Sequence, residues 1–217
     1  MQAAKGRLSA QLVLIRPDGS EGGAETISEG LTPIGRAQGS LFAHDHYLSQ
    51  RHALLRLDAT GAWVEPLPSL NGVFVRIFDE QELAQGDVFR IGQEILQLDL
   101  YAEPAPYEDG TYSLGSPNPG YWGRLSLLVA PGRYAGVFPL RSELTTLGRE
   151  RGDVLFPEDG YVSGSHAKIT LRDGRVFLTD NCSSNGTYVR IRVAQRLDSG
   201  AYVQMGQQLF RVLYSLS

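Results

Sequence analysis

The chain has 217 residues, a formal net charge of −4 and a single cysteine, Cys182. This length suits two domains of about 100 residues, each able to bury a core without disulfides or metals. One cysteine excludes an internal disulfide and points to a reducing compartment. A mildly acidic chain also lacks the summed positive field that drives non-specific binding to nucleic acid.

Lys5 and Arg7 precede an apolar run, Leu12-Val13-Leu14-Ile15, that is too short for a signal peptide or a membrane span. A soluble, cytoplasmic protein with no membrane partner is the expectation. Short apolar segments with period two then follow. Strands are expected at Leu12–Ile15, Ala53–Leu57, Ala62–Val64, Val73–Ile77, Val88–Ile91 and Ile95–Leu100. Turn residues such as Pro17-Asp18-Gly19, Thr60-Gly61 and Asn71-Gly72 separate them. Residues 102–122 hold four prolines between Ala102 and Gly120 and read as a linker. Beyond it, strands are expected at Leu125–Val129, Ala167–Leu171, Val176–Leu178, Thr187–Ile191, Tyr202–Met205 and Gln208–Tyr214. No segment sustains a capped apolar helical stripe.

The chain repeats itself. A shift of 114 residues places Ser49 on Ser163, His52 on His166, Asn71-Gly72 on Asn185-Gly186, Val75-Arg76-Ile77 on Val189-Arg190-Ile191 and Gly92-Gln93 on Gly206-Gln207. Gly35-Arg36 falls on Gly148-Arg149 at a shift of 113. The predicted fold is therefore all-β, with two tandem antiparallel β-sandwiches at 8–101 and 123–217 joined by the linker.

Each copy carries one ordered signature. It reads Gly35-Arg36, Ser49-x-x-His52, Asn71-Gly72, Gly92, and again Gly148-Arg149, Ser163-x-x-His166, Asn185-Gly186, Gly206, with 22 residues from serine to asparagine both times. A phosphate dianion needs a cation, hydroxyls and backbone N–H groups converging on it. Arginine supplies a bidentate fork, serine a short donor, and asparagine both donor and acceptor for a peptide main chain. Taken alone, an Asn-Gly is a hairpin turn and a Gly-Arg is solvated surface. The set gains meaning by recurring whole.

In this signature the sequence resembles the forkhead-associated (FHA) family of phosphothreonine-peptide readers. The resemblance implies that Arg149, Ser163 and Ser184 hold the phosphate and Asn185 the peptide backbone. It assigns Arg36, Ser49, Leu70 and Asn71 to the same positions in the first copy. Gln50 and Gly164 stand where the family often places a long polar side chain. Tyr47 and Tyr161 stand where it reads a later peptide residue. His52, His166, Gly35, Gly148, Gly72 and Gly186 have structural roles in this reading.

The expected function is a non-catalytic phosphothreonine-binding adaptor downstream of a Ser/Thr protein kinase, with no cofactor, no metal and no nucleic-acid partner. The second copy is the better reader, because Leu70 replaces Ser184 and Val73 replaces Thr187. Two alternatives stand beside it. The first copy is a phospho-independent assembly module, or a phosphorylated linker residue, Thr111, docks in one of the modules. The group His44-Asp45-His46 with His52 is expected to add positive potential near the first site at low pH.

Overall fold

In the computed structural model, residues 8–215 are described. The first copy contains β1 (Ser9–Ile15), β2 (Glu21–Ser28), β3 (Gly30–Ile34), β4 (Ala53–Asp58), β5 (Gly61–Pro66), β6 (Val73–Arg76), β7 (Gln81–Leu83), β8 (Val88–Ile91) and β9 (Glu94–Leu100). The second contains β10 (Gly123–Ala130), β11 (Arg133–Leu140), β12 (Leu144–Gly148), β13 (Val154–Leu155), β14 (Ala167–Arg172), β15 (Arg175–Asp180), β16 (Thr187–Arg190), β17 (Gln195–Leu197), β18 (Tyr202–Met205) and β19 (Gln208–Tyr214). Single turns of 3-10 helix at Arg36–Gln38 and Ser40–Phe42 interrupt the first copy. The all-β expectation holds throughout.

The compact units do not coincide with the sequence copies 8–101 and 123–217. Among the described residues, one unit is split, combining those up to Arg76 with those from Arg190 onward; the other is the unbroken stretch Ile77–Val189. In the split unit one sheet runs β6-β18-β19-β1-β2 and the other β17-β5-β4-β3. In the continuous unit the sheets run β16-β8-β9-β10-β11 and β7-β15-β14-β12-β13. Each sandwich therefore takes its first strands from one copy and its last three from the other.

The repeat supplies the physical reason. The shift of 114 carries β7 onto β17, β8 onto β18 and β9 onto β19. Two equivalent strand sets fit the same two vacancies, and the apolar pattern that fixes register is the same in both. The connections from β6 to β7 and from β16 to β17 are four residues each, 77–80 and 191–194, and short hinges of this kind favour strand exchange. Pairing is in register: Leu12 faces Val212 and Gln204 faces Phe74 in the split unit, while Leu98 faces Leu125 and Tyr188 faces Arg90 in the continuous one.

The cores follow the exchange. Leu12, Ile34, Phe42, Leu57 and Val73 bury against Val203, Met205 and Phe210, with the Phe42 and Phe210 ring centroids 5.6 Å apart. Phe89, Ile91, Leu96 and Leu98 bury against Leu125, Leu147, Ile169 and Leu178. Residues 102–122 consequently join two adjacent antiparallel strands, β9 and β10, inside the continuous unit. They form a loop within that sandwich.

Candidate functional site

In the continuous unit, β12 ends at Gly148, where backbone crowds so closely that a Cβ would lie 2.4 Å from the carbonyl oxygens of Arg151 and Gly164. Gly35 is crowded in the same way by Gln50 O. The loop after Gly148 is zipped to the serine loop. Arg149 N donates to Ser163 O at 2.9 Å, and the Glu150 and Arg151 amides donate to Gly164 O at 3.2 and 2.9 Å. Ser184 N donates to Ser163 Oγ at 3.1 Å, and Asn185 Nδ2 donates to Tyr161 O at 2.8 Å. Arg149, Ser163, Ser184, Asn185 and Tyr161 are thus drawn to one cluster of loops. The Asn185 and Tyr161 side chains are exposed.

A buried layer holds that cluster. His166 Nδ1 accepts from Ser163 N at 3.0 Å, so its Nε2, 3.2 Å from Gly186 O, carries the proton of a neutral ring. Beneath the Ser183–Gly186 turn, Asp180 accepts from Ser183 N at 2.8 Å, from Ser183 Oγ at 2.6 Å and from Thr187 Oγ1 at 2.6 Å. Gly186 N in turn donates to Ser183 Oγ at 2.9 Å. Burial pushes the Asp180 carboxyl upward, but the hydroxyl and amide donors outweigh it and hold the group below the ordinary value of 3.8.

The first copy builds the same cluster in the split unit. Arg36 N donates to Ser49 O at 3.1 Å, Ser49 N to His52 Nδ1 at 3.1 Å, and Asn71 Nδ2 to Tyr47 O at 2.8 Å; His52 Nε2 lies 2.8 Å from Gly72 O. Several differences separate the sites. Pro66 stands where the second copy has Asp180 and Val73 where it has Thr187, and Ser69 Oγ is buried with no partner among the described residues. Leu70 is 71% exposed beside Asn71, and Tyr47 is 54% exposed. The arginines also differ. Arg149 forks onto Glu150 Oε1 at 2.7 and 3.2 Å, whereas Arg36 donates its Nε to Leu48 O at 2.8 Å and has Ala37 as its neighbour.

Gln50 is exposed next to Ser49, within reach of solvent. The expected histidine contribution is corrected for His52, because its ring is fully buried, both nitrogens are occupied by backbone, and burial holds its pKa below the ordinary value. Only His44 and His46 face solvent.

Sequence reasoning missed the acids. Asp45 and Asp159 are buried, and each accepts the amide of the tyrosine two residues on, Tyr47 or Tyr161, at 2.9 or 2.8 Å. They coincide at the repeat shift of 114, and that recurrence was the available signal. Asp180 and Glu150 have no acidic counterpart in the first copy, so the repeat could not reveal them.

The FHA domain model matches residues 32–92 and 145–206, more than half of the chain. The chain belongs to the FHA family. Each matched segment carries one of the clusters just described. Both segments also run through a crossover, so the family's strand set is contiguous in sequence while each sandwich here is shared between copies. The oxoglutarate dehydrogenase inhibitor of Corynebacterium glutamicum is 30% identical over 138 residues, covering 62% of this chain and 90% of that protein. The human E3 ubiquitin-protein ligase CHFR is 37% identical over 84 residues, 37% of this chain and 12% of that protein. Among solved structures, Mycobacterium tuberculosis EmbR in complex with a low-affinity phosphopeptide matches at 25% identity and a TM-score of 0.26. That match covers 52% of this chain and 27% of EmbR.

No helix among the described residues is long and apolar enough to cross a membrane.

Proposed function

We propose that this chain is a non-catalytic adaptor that docks phosphothreonine segments of a partner after a Ser/Thr kinase has acted, with the second copy the stronger reader. The observation carrying this reading is the cluster of Arg149, Ser163 Oγ, Ser184 N and Asn185 on loops zipped together by main-chain hydrogen bonds. Arg149 and the Ser184 hydroxyl supply the cation and donor for a phosphate dianion, and Asn185 grips the peptide main chain. Glu150 is an exposed counter-ion, and an exposed pair of this kind is worth little, so a phosphate dianion can displace it. The His166 ring directs Nδ1 to the Ser163 amide and Nε2 to Gly186 O, a bracing role for the loop rather than that of a base for the Ser163 hydroxyl.

The test is calorimetric titration of the intact chain with a phosphothreonine peptide. Arg149→Ala should weaken the stronger binding event by about 10- to 100-fold, the loss of a charge-assisted contact worth roughly 1.5–3 kcal/mol. Binding of wild-type strength by this variant overturns the assignment. The copies should not be separated for this measurement, because neither copy is a compact unit of the intact chain.

A second reading is favoured by the exposed Leu70 and Tyr47 flanking Asn71. Under it, the first copy contacts partners without phosphate, and a partner retained after phosphatase treatment supports it.

A further inference from the structure

Each site is tied to the opposite copy by one continuous run of hydrogen bonds. In the continuous unit, Asn185 Nδ2 donates to Tyr161 O, Tyr161 N donates to Asp159 Oδ1 at 2.8 Å, and Gln93 N donates to Asp159 Oδ2 at 2.7 Å. Asn185, Tyr161 and Asp159 belong to the second copy, but Gln93 is the tip of the β8–β9 hairpin of the first. The split unit repeats the pattern with the copies reversed: Asn71 Nδ2 to Tyr47 O, Tyr47 N to Asp45 Oδ1, and Gln207 N to Asp45 Oδ2 at 2.8 Å.

The hairpin tips are shaped for the acids they meet. Gly92 has φ +54 and Gly206 φ +59, a region that side chains avoid. A Cβ on Gly92 would lie 2.5 Å from Asp159 Oδ2, and one on Gly206 would lie 2.4 Å from Asp45 Oδ2. Each glycine lets a buried carboxylate settle on a hairpin tip, and that carboxylate sets the main chain holding the site asparagine.

We propose that Asp159 and Asp45 are positioning residues and that the hairpin tip of each copy is a working part of the other copy's peptide site. The proposal rests on the phosphothreonine-reader reading given above. Affinity at the second site is then set in part by Gly92-Gln93, and affinity at the first by Gly206-Gln207. One copy cannot change its hairpin without changing its neighbour's specificity.

The test uses the intact chain with two readouts. In an Arg36→Ala background, where the second site is read, Gly92→Ala should weaken phosphothreonine-peptide binding by about tenfold, the loss of one charge-assisted hydrogen bond. It should also speed amide hydrogen exchange at Tyr161. In an Arg149→Ala background, Gly206→Ala should do the same to the first site and to Tyr47. The opposite pattern, with Gly92→Ala loosening Tyr47 and Gly206→Ala loosening Tyr161, overturns the proposal.

Hydrogen exchange reads the brace without peptide. A parent chain that binds no phosphopeptide therefore defeats the functional reading, while the exchange pattern still decides the brace. Should Gly92→Ala fail to fold, Asp159→Asn keeps the volume and removes one acceptor oxygen. It should speed exchange at Gln93 or Tyr161, and unchanged exchange at both overturns the proposal.

Discussion

Replacing Phe210 with alanine is expected to destabilise the split unit by about 3–5 kcal/mol, the usual cost of removing a fully buried phenylalanine. Phe210 lies in the second copy by sequence, yet its ring meets Phe42 of the first copy and shares a core with Leu12, Ile34 and Val73. A loss of that size approaches the whole stability of a small domain, about 5–15 kcal/mol. Hydrogen exchange should show amides in β3, β4 and β5 losing protection while β12, β14 and β15 keep theirs. The site carrying Arg36 and Asn71 should fail and the site carrying Arg149 and Asn185 should persist. Sandwiches made of contiguous copies predict the reverse.

Removing the Asp180 carboxylate is the second large effect. Asp180→Ala leaves the Ser183 and Thr187 hydroxyls without their acceptor in a buried layer, where Thr187 is wholly inaccessible and Ser183 nearly so. Unsatisfied buried groups of this kind cost roughly 1–3 kcal/mol each, so about 2–6 kcal/mol is expected for the continuous unit. The turn that presents Ser184 N and Asn185 should loosen with it, weakening phosphopeptide binding at the second site. The pH dependence carries a sign. The Asp180 pKa is held below 3.8 in the folded chain, so its contribution is fully present above that value and is lost as pH falls below it towards the folded pKa. Chemical denaturation of wild type and variant should therefore show a stability difference that is constant near neutrality and shrinks below about pH 4.

The first copy shows what the turn looks like without this brace. Pro66 offers no carboxylate, Val73 offers no hydroxyl, and Ser69 Oγ is buried without a partner among the described residues. The asymmetry read from Leu70 and Val73 in the sequence thus extends one layer deeper. It also runs partly the other way, since Arg149 is engaged by Glu150 while Arg36 has no acidic neighbour in the chain.

Strands such as Val88–Ile91 and Tyr202–Met205 were legible because their apolar residues alternate or cluster strongly. β2 (Glu21–Ser28) was not, since Gly22, Gly23 and two glutamates carry a sheet edge with little apolar pattern. β7 and β17 are three residues each, too short for any period to register. The signature residues of the site were legible because the copies repeat them: Arg36 and Arg149, Ser49 and Ser163, Asn71 and Asn185. Which copy completes which sandwich was not legible, and the repeat itself is the cause. When β7–β9 and β17–β19 share one pattern, local sequence is equally satisfied by either pairing, and the choice lies in the two short connections. The acids beneath the loops escaped notice for a related reason. A buried aspartate that accepts backbone amides looks in sequence like any loop aspartate.

Each binding site stands on strands from both copies, and a disulfide tests this on the intact chain. In the exchanged arrangement Gln11 of β1 faces Leu213 of β19. In contiguous copies the residue equivalent to Leu213 is Asp99 of β9, at the repeat shift of 114. Directly opposed residues of antiparallel strands have Cα atoms about 5.5 Å apart, within disulfide range. With Cys182 replaced by serine, Gln11→Cys with Leu213→Cys should oxidise to an intrachain cross-link, read by mass spectrometry of the proteolysed protein. Gln11→Cys with Asp99→Cys should remain reduced. Cross-linking of the second pair and not the first contradicts the account.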